Sequence, residues 1–418
     1  MPNRARQIVF AEQFYFPDGW GGAQIPRDIT THLAKAGLNV SVVCGSDPYA
    51  PVQGDCGPDP TLSGVRIVRL PRLFGGDIHS FKLLRQLWFY LLAAPALLLR
   101  RRPDVFVAQT NPPILVPLVA LVARLRNVPF MIIAQDLYPE VVIAHGMLRA
   151  DSLAARFLRT LFGWAYRHAR IVVAPGPVMA ERLQEKGVAP ERIVVISNWA
   201  TGEEGVVKGA ANLLRPRWKL EGKFVLLYSG NLGIAHEFDT VVLALERAIE
   251  RRPELRLVIV GKGSRLAEVR ELVRQRGLEQ FVLFENLVPA DMLPHSIGLA
   301  DLSLVTLRNS FEGLVVPSKL LGYMARGIPT VYVGPRSDVS AMLQESRGGQ
   351  SFPSGAIDLL ADELVKLAGN PAALQSMGEA ARNYYDNHLS RDVAVARYAE
   401  LVKHVVHATK RTSDEARP

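Results

Sequence analysis

Short β-branched runs, each followed by a helical pattern, recur along nearly the whole chain and limit what it can fold into. In the first half the runs are Gln7–Ala11, Val40–Cys44, Val65–Leu70, Val105–Ala108, Phe130–Ala134, Ile171–Ala174 and Ile193–Ile196. The pattern restarts with Phe224–Ser229 and continues through Arg256–Val260, Phe281–Glu285, Leu302–Val305 and Thr330–Val333. Several are continuously apolar, as a parallel sheet covered by helices on both faces requires. Such alternation predicts an α/β protein of two doubly wound, Rossmann-like domains. At 418 residues the chain exceeds what one hydrophobic core organises. The glycine-rich, charged stretch Gly202–Gly209 marks the linker and a hinge. The expected division is 1–201, linker 202–209, 210–390, and a C-terminal helix and tail at 391–418.

Composition removes other classes. Glycine (33) and proline (28) are near average and no repeat appears, so disordered, collagen-like and solenoid readings fall away. Cys44 and Cys56, the two cysteines, form no CxxC and accompany no histidine cluster, so neither a disulfide framework nor a zinc site is expected, and a reducing cytosol fits. The N-terminal apolar run reaches Glu12 too soon for a signal peptide. Gln86–Leu99 is too short to cross a bilayer, and Val105–Ala123 is interrupted by Gln109-Thr110-Asn111-Pro112-Pro113.

The net charge of +9 is concentrated. Residues 66–126 hold ten Lys/Arg against two Asp, which is a net of +8. A solvated basic face would account for this, and so would attraction to an anionic surface. Within the stretch Phe81, Leu84, Leu87, Trp88, Leu91 and Leu92 recur at helical spacing, and Arg100-Arg101-Arg102 closes it. That is the makeup of an interfacial helix, whereas the basic–aromatic interleaving of nucleic-acid binders is not found. A membrane surface is therefore the expected partner, and nucleic acid is not.

Each half opens with a strand, a glycine-bearing loop and a helix. The loops are Pro17–Gly22, before a helix around Ile25–Ala36, and Ser229–Ile234, before one around Phe238–Arg251. Such glycines let backbone N–H groups approach an anion at a helix start, although plain chain geometry produces the same turns. A sharper signal is Val316-Pro317-Ser318-Lys319-Leu320. Pro and Ser start a helix with Ser318 as candidate N-cap, and the helix Lys319–Arg326 ends at Gly327. A lysine in a first turn opposes the helix dipole unless an anion joins it. A diphosphate on the N–H groups of Ser318, Lys319 and Leu320 would satisfy both, and an exposed lysine is the plain alternative.

Several stretches carry a family resemblance: residues 14–44, AQDLYPEVVIAHGML (134–148), ISNWA (196–200), LLYSGNLGIAHEFDTVVLALE (226–246), LVIVGKGSR (257–265), residues 281–305 and VVPSKLLGYMARGIP (315–329). With these the chain resembles glycosyltransferases of the two-Rossmann GT-B fold, within the retaining family 4, over residues 7–405. It is most similar to the subgroup that builds capsule, O-antigen or colanic-acid-type polysaccharide. The resemblance implies a nucleotide-sugar donor, a lipid-linked glycan acceptor, no metal or other cofactor, and a peripheral place on the inner face of the cytoplasmic membrane. It implies that Gly230, Asn231, Gly233 and Gly261 belong to the donor site, that Phe284, Asn286 and Leu287 pass the nucleobase, and that Ser318 and Lys319 meet phosphate. Gly21, Gly22 and Glu140 would line the acceptor and sugar cleft, and Asp136 and Lys319 are the catalytic candidates. It also implies that the C-terminal helix Arg391–His407 crosses back to the first domain, which Val393, Val395, Tyr398, Leu401 and Val402 permit.

Three positions depart from the family pattern. Asn231 and His236 stand where many members carry an Arg and a Lys that clamp the diphosphate, and Gly322 replaces a glutamate that holds the donor ribose. A non-catalytic partner subunit and a nucleotide-sugar epimerase of the same fold are the other readings. In the expected transfer, charge develops on the departing diphosphate, so donors and cations aimed there carry catalysis, without a side-chain nucleophile.

Overall fold

The computed structural model describes residues 6–16, 21–46, 64–72, 82–200 and 205–415. Their strands form two wholly parallel sheets. The first contains β1 (Gln7–Glu12), β2 (Asn39–Gly45), β3 (Val65–Leu70), β4 (Val105–Gln109), β5 (Phe130–Ile133), β6 (Ile171–Ala174) and β7 (Ile193–Val195), in the order β3-β2-β1-β4-β5-β6-β7. The second contains β8 (Phe224–Ser229), β9 (Leu255–Val260), β10 (Val282–Glu285), β11 (Leu302–Thr306), β12 (Thr330–Val333) and β13 (Gly349–Phe352), in the order β10-β9-β8-β11-β12-β13. In both, the first strand of the half lies inside the sheet and the strand order reverses beside it. That is the topology of a doubly wound Rossmann-like domain, and two of them make the GT-B architecture.

The chain divides into two compact units, Met1–Ser197 with Asp392–Pro418, and Asn198–Arg391. The part of the expected linker at 202–204 lies outside the described residues. The helix Arg391–Glu415 buries Val395, Tyr398, Ala399, Val402 and Val405, and Arg397 donates to the Val195 carbonyl at 2.7 Å within the first unit.

The continuous apolar runs are the central strands, whose residues are buried throughout β4, β5, β6, β11 and β12. β13 has no such run to announce it, because Gly-Gln-Ser-Phe is poor in β-branched residues. Its glycine answers to packing: a Cβ on Gly349 would lie 2.0 Å from the Thr330 carbonyl oxygen on β12. Two helix starts also differ from expectation. The first helix runs Gly21–Lys35, so Gly21 and Gly22 belong to its first turn, and Pro26 inside it lacks the N–H that would reach Gly22. The loop before it, 17–20, lies outside the described residues. The helix after Ser318 is Lys319–Met324, six residues long.

One face of the first sheet carries a layer of three neighbouring helices, Lys82–Leu98, Leu115–Leu125 and Leu153–His168, the second packed against both others. Among the described residues no helix is long and apolar enough to cross a membrane.

Candidate functional site

In the second unit the strand order reverses between β8 and β11, and in open α/β sheets ligands bind outside the carboxyl ends of the strands at such a point. β8 ends at Ser229 and is followed by Gly230, whose φ of +130° few other residues tolerate. The N–H of Gly230 donates to the Val260 carbonyl at 2.9 Å, and that of Leu232 to the Lys262 carbonyl at 2.8 Å. The loops after β8 and β9 therefore run side by side. A Cβ on Gly261 would lie 1.9 Å from the Gly230 oxygen, and one on Gly263 would lie 2.1 Å from the Leu232 oxygen. These two glycines are thus required by the crossing of the loops themselves.

Lys319 is brought to this crossing by its own helix. Tyr323, one turn further on the same face, is buried, and its hydroxyl accepts from the Ser229 N–H at 3.0 Å. That bond sets the helix start over the end of β8. Lys319 then covers Gly230 so closely that a Cβ there would lie 2.7 Å from the lysine Cε. Its Nζ lies 3.4 Å from the Asn231 carbonyl, 3.3 Å from His236 Nε2 and 4.9 Å from the centre of the Tyr228 ring. Among the described residues no carboxylate pairs with it. Burial pushes the Lys319 ammonium down to about 8.

His236 is buried at the start of the helix Asp239–Ile249, edge-on to Tyr228. Its Nδ1 is 2.9 Å from the Thr306 carbonyl at the end of β11, so the proton belongs on Nδ1 and Nε2 is left to accept from Lys319. Burial and, after it, the Lys319 charge push His236 down to about 3, so it is neutral at physiological pH. Arg265 completes the floor. It is buried, donates to the His236 carbonyl and pairs with Glu268. The site therefore offers a cation held by neutral acceptors, backbone carbonyls and an aromatic face. An anion entering it would meet a charge that no carboxylate has already neutralised.

The other donor-side candidates fall along the same edge. Asn231 is exposed, with Gly233 beside it, and Phe284, Asn286 and Leu287 close β10 next to β9, where the Glu285 carbonyl accepts from Gly261 N–H at 2.8 Å. Phe284 is covered by the Arg270 guanidinium at 5.0 Å, while Asn286 and Leu287 are exposed. Ser318 departs from its expected part. It is the residue before the helix, but its backbone is already helical (φ −64°, ψ −14°) and its side chain caps nothing. With only six residues behind it, the helix start contributes through its N–H groups, and the formal charge comes from Lys319.

In the first unit the reversal lies between β1 and β4. Gly21 and Gly22 open the helix that follows β1. Asp136 follows β5 on the carboxyl edge, where the N–H groups of Gln135 and Asp136 donate to Thr110 Oγ1 at 2.9 and 3.2 Å. Burial raises its carboxyl to about 6. Glu140, in contrast, is already engaged: Lys186 pairs with it and Arg159 lies 4.0 Å away. On the same edge, at the end of β1, Glu12 is 2 % exposed, burial holds its carboxyl well above the usual range, and its Oε1 has no partner. Sequence reading passed over Glu12, Tyr228, Arg265 and Tyr323. Tyr323 had a legible signal, the four-residue spacing from Lys319, and Arg265 had Glu268 three residues on.

Comparison with known proteins agrees with the two-domain fold. The glycosyl transferase 4-like domain model matches residues 21–199, and the glycosyl transferases group 1 model matches residues 212–384. A probable glycosyltransferase of Pseudomonas aeruginosa, WbjE, is 28 % identical over 74 % of this chain and 77 % of its own length. The putative colanic acid biosynthesis glycosyl transferase WcaI of Escherichia coli is 25 % identical over 93 % of this chain and 98 % of its own. In fold, Anabaena HepE in complex with UDP-glucose superposes with a TM-score of 0.70 at 15 % identity, covering 95 % of this chain and 99 % of that one. WaaG, a glycosyltransferase involved in lipopolysaccharide biosynthesis, does so with 0.64 at 17 % identity, over 94 % and 99 %. With a family-4-type domain followed by a group 1 domain on two Rossmann-like sheets, the chain belongs to the GT-B glycosyltransferases.

Proposed function

We propose that the protein transfers a hexosyl or N-acetylhexosaminyl residue from a nucleotide-sugar donor to a lipid-linked glycan in cell-surface polysaccharide assembly, with retention of anomeric configuration. The observation that carries the donor half of this reading is the Lys319 ammonium over Gly230, unpaired with any carboxylate among the described residues, at the switch point of the second sheet. The printed roles of WcaI in colanic acid biosynthesis and of WaaG in lipopolysaccharide biosynthesis support the polysaccharide context. HepE binds UDP-glucose, which supports a nucleotide-sugar donor.

On this reading the diphosphate rests on the N–H groups of Ser318, Lys319 and Leu320 beside the Gly230–Gly233 loop, and Lys319 neutralises charge as the anomeric bond breaks. Neutral His236 helps by fixing Lys319 without cancelling its charge. Attack comes from the face the diphosphate leaves, and the departing phosphate takes the acceptor proton, so no side-chain nucleophile is assigned. Asp136, on the carboxyl edge of the first sheet, offers a carboxyl to a sugar hydroxyl. Gly21 and Gly22 leave room for acceptor and sugar. The nucleobase lies along Phe284, Asn286 and Leu287.

The exposed apolar face of the helix Lys82–Leu98 suits a peripheral place on the inner membrane leaflet, where a lipid-linked acceptor resides. Leu84, Leu87 and Leu91 are exposed, Trp88 and Leu92 are half-buried, and Phe81 lies outside the described residues. Incubation of the purified protein with membrane extract and radiolabelled UDP-, GDP- and dTDP-sugars tests the function. Label moving into the lipid fraction from one nucleotide class is the expected result, and hydrolysis alone or no turnover with any donor contradicts it.

A further inference from the structure

The helix Lys82–Leu98 is one of three neighbours in a layer, and the other two share its character. On Lys82–Leu98 the exposed apolar residues include Leu83, Leu87 and Leu91, spaced by four, while Phe89, Ala93 and Leu97 face the core. On Leu115–Leu125 the exposed pair is Leu121 and Leu125, again four apart, and every other apolar residue from Leu115 to Ala123 except Leu118 is buried. On Leu153–His168 it is Leu153 and Phe157, which are 82 % and 66 % exposed, with Leu161 half-buried in line with them. Residues four apart stack on one side of a helix, so each helix turns a buried stripe inward and a second apolar stripe outward. Soluble helices normally fill that outer stripe with charge.

The charges that do occur have one sign. None of the three helices contains an aspartate or a glutamate. Arg124, Arg156 and Arg167 are exposed on them, and Arg101 and Arg102 follow the first. Exposed apolar stripes on three neighbouring helices mark a surface that something covers. Asp151, exposed just before the third helix, pairs with Arg149, so the face is basic in excess, and a second copy of the chain in a two-fold contact would set that excess against itself. A bilayer with anionic headgroups satisfies both features, apolar side chains entering the acyl boundary and arginines meeting phosphate.

We infer that the docking surface is the whole three-helix layer, with Leu121, Leu125, Leu153 and Phe157 as membrane-inserting residues beyond the helix Lys82–Leu98, and that its partner is an anionic lipid bilayer. This rests on the peripheral-membrane part of the proposed function and gives it a specific face. Because the inserted residues project from three helices rather than one, no single helix need carry the affinity.

Co-sedimentation decides the matter, with vesicles of phosphatidylglycerol mixed with phosphatidylethanolamine and vesicles of phosphatidylcholine alone. The wild type is expected to sediment with the anionic vesicles and to be released by high salt, as screening weakens the arginine–headgroup attraction. Leu121→Glu/Leu125→Glu and Leu153→Glu/Phe157→Glu should each lower the bound fraction by about fivefold or more. Each should still bind UDP, GDP or dTDP as the wild type does, which separates loss of the face from loss of the donor site. Wild-type binding by the Leu153→Glu/Phe157→Glu variant overturns the inference, even if changes in Lys82–Leu98 abolish docking. So does a wild type that ignores anionic vesicles, and so does a concentration-dependent dimer that Phe157→Glu dissolves. Nucleotide binding preserved in any of those cases leaves the transferase reading standing.

Discussion

His236 Nε2 and Lys319 Nζ lie 3.3 Å apart, and the imidazole nitrogen is the acceptor of the pair. The Thr306 carbonyl fixes that role by taking the Nδ1 proton at 2.9 Å. The cation beside Gly230 is thus Lys319, and the uncharged side chain at 236 accepts from it. His236→Leu removes the acceptor and should raise the donor KM by about threefold to tenfold, with little change in kcat, as expected for loss of one charge-assisted hydrogen bond. His236→Gln, which can present an oxygen to Lys319, should recover part of it. Equal donor KM values for wild type and His236→Leu would rule out the supporting role.

The pH dependence of nucleotide binding follows from Lys319. Its pKa is depressed from 10.5 to about 8, so in the free protein it loses its charge as pH rises through about 8. Affinity for a nucleoside diphosphate should therefore be flat below that pH and fall above it, by up to tenfold per unit. Lys319→Met should bind weakly at every pH and lose the alkaline fall. Calorimetric titration between pH 6.5 and 9.5 measures both, and an alkaline fall that survives in Lys319→Met would assign the titration to another group.

A methyl group on Gly230 meets two obstacles, the positive φ of +130° and the Lys319 Cε at 2.7 Å. Gly230→Ala should lose about 1–3 kcal/mol of stability from backbone strain and should displace the lysine, so nucleotide affinity falls together with thermal stability. Unchanged affinity in a folded Gly230→Ala protein would mean that Lys319 does not need its place over the glycine.

Gly322 is a different case, since a Cβ there meets only Arg326 Nη1 at 3.7 Å. Gly322→Glu should therefore fold normally. If the family's ribose contact is what the glycine forfeits, the variant should bind a nucleoside diphosphate more tightly while binding pyrophosphate unchanged. Equal affinity for the nucleoside diphosphate in both proteins would show that the ribose is held elsewhere.

Asp136 should show the cost of a buried carboxylate. Its folded pKa of about 6 lies above the ordinary 3.8, so between these values the folded protein binds more protons than the unfolded chain, and stability falls as pH rises through that window. Asp136→Asn should therefore be more stable than wild type at pH 7, by about 1–2 kcal/mol for a half-buried group, with the difference vanishing below about pH 4. Thermal unfolding at the two pH values reads this directly, and a less stable Asp136→Asn at pH 7 would assign the carboxyl a structural role.

How much of this was legible in the sequence depends on what each residue answers to. β4, β6 and β12 were readable because a strand buried on both faces must be continuously apolar. β13 was not, because its first residue must be a glycine to clear the Thr330 carbonyl oxygen, which a Cβ there would meet at 2.0 Å. Lys319 stood out as a cation at a helix start, a local conflict visible without a structure. The four-residue spacing puts Tyr323 on the face of Lys319, but its bond to Ser229, like the acceptance by His236 across 83 residues, depends on long-range pairing that no spacing encodes. The apolar and basic makeup of residues 81–102, which led to the expectation of an interfacial helix, was visible in one segment. The exposed apolar stripe that ends at Phe157 comes next to it only once Leu115–Leu125 is placed between the two helices.

If Lys319 and the Gly230 loop hold the diphosphate of a nucleotide sugar, titrating wild type and Lys319→Ala with UDP, GDP and dTDP at pH 7 shows it. At least one nucleotide is expected to bind the wild type and to bind Lys319→Ala about tenfold or more weakly, with the fold unchanged, as for a lost charge-assisted contact of about 1.5–3 kcal/mol. Equal affinities in the two proteins, or no binding of any of the three to the wild type, would contradict it.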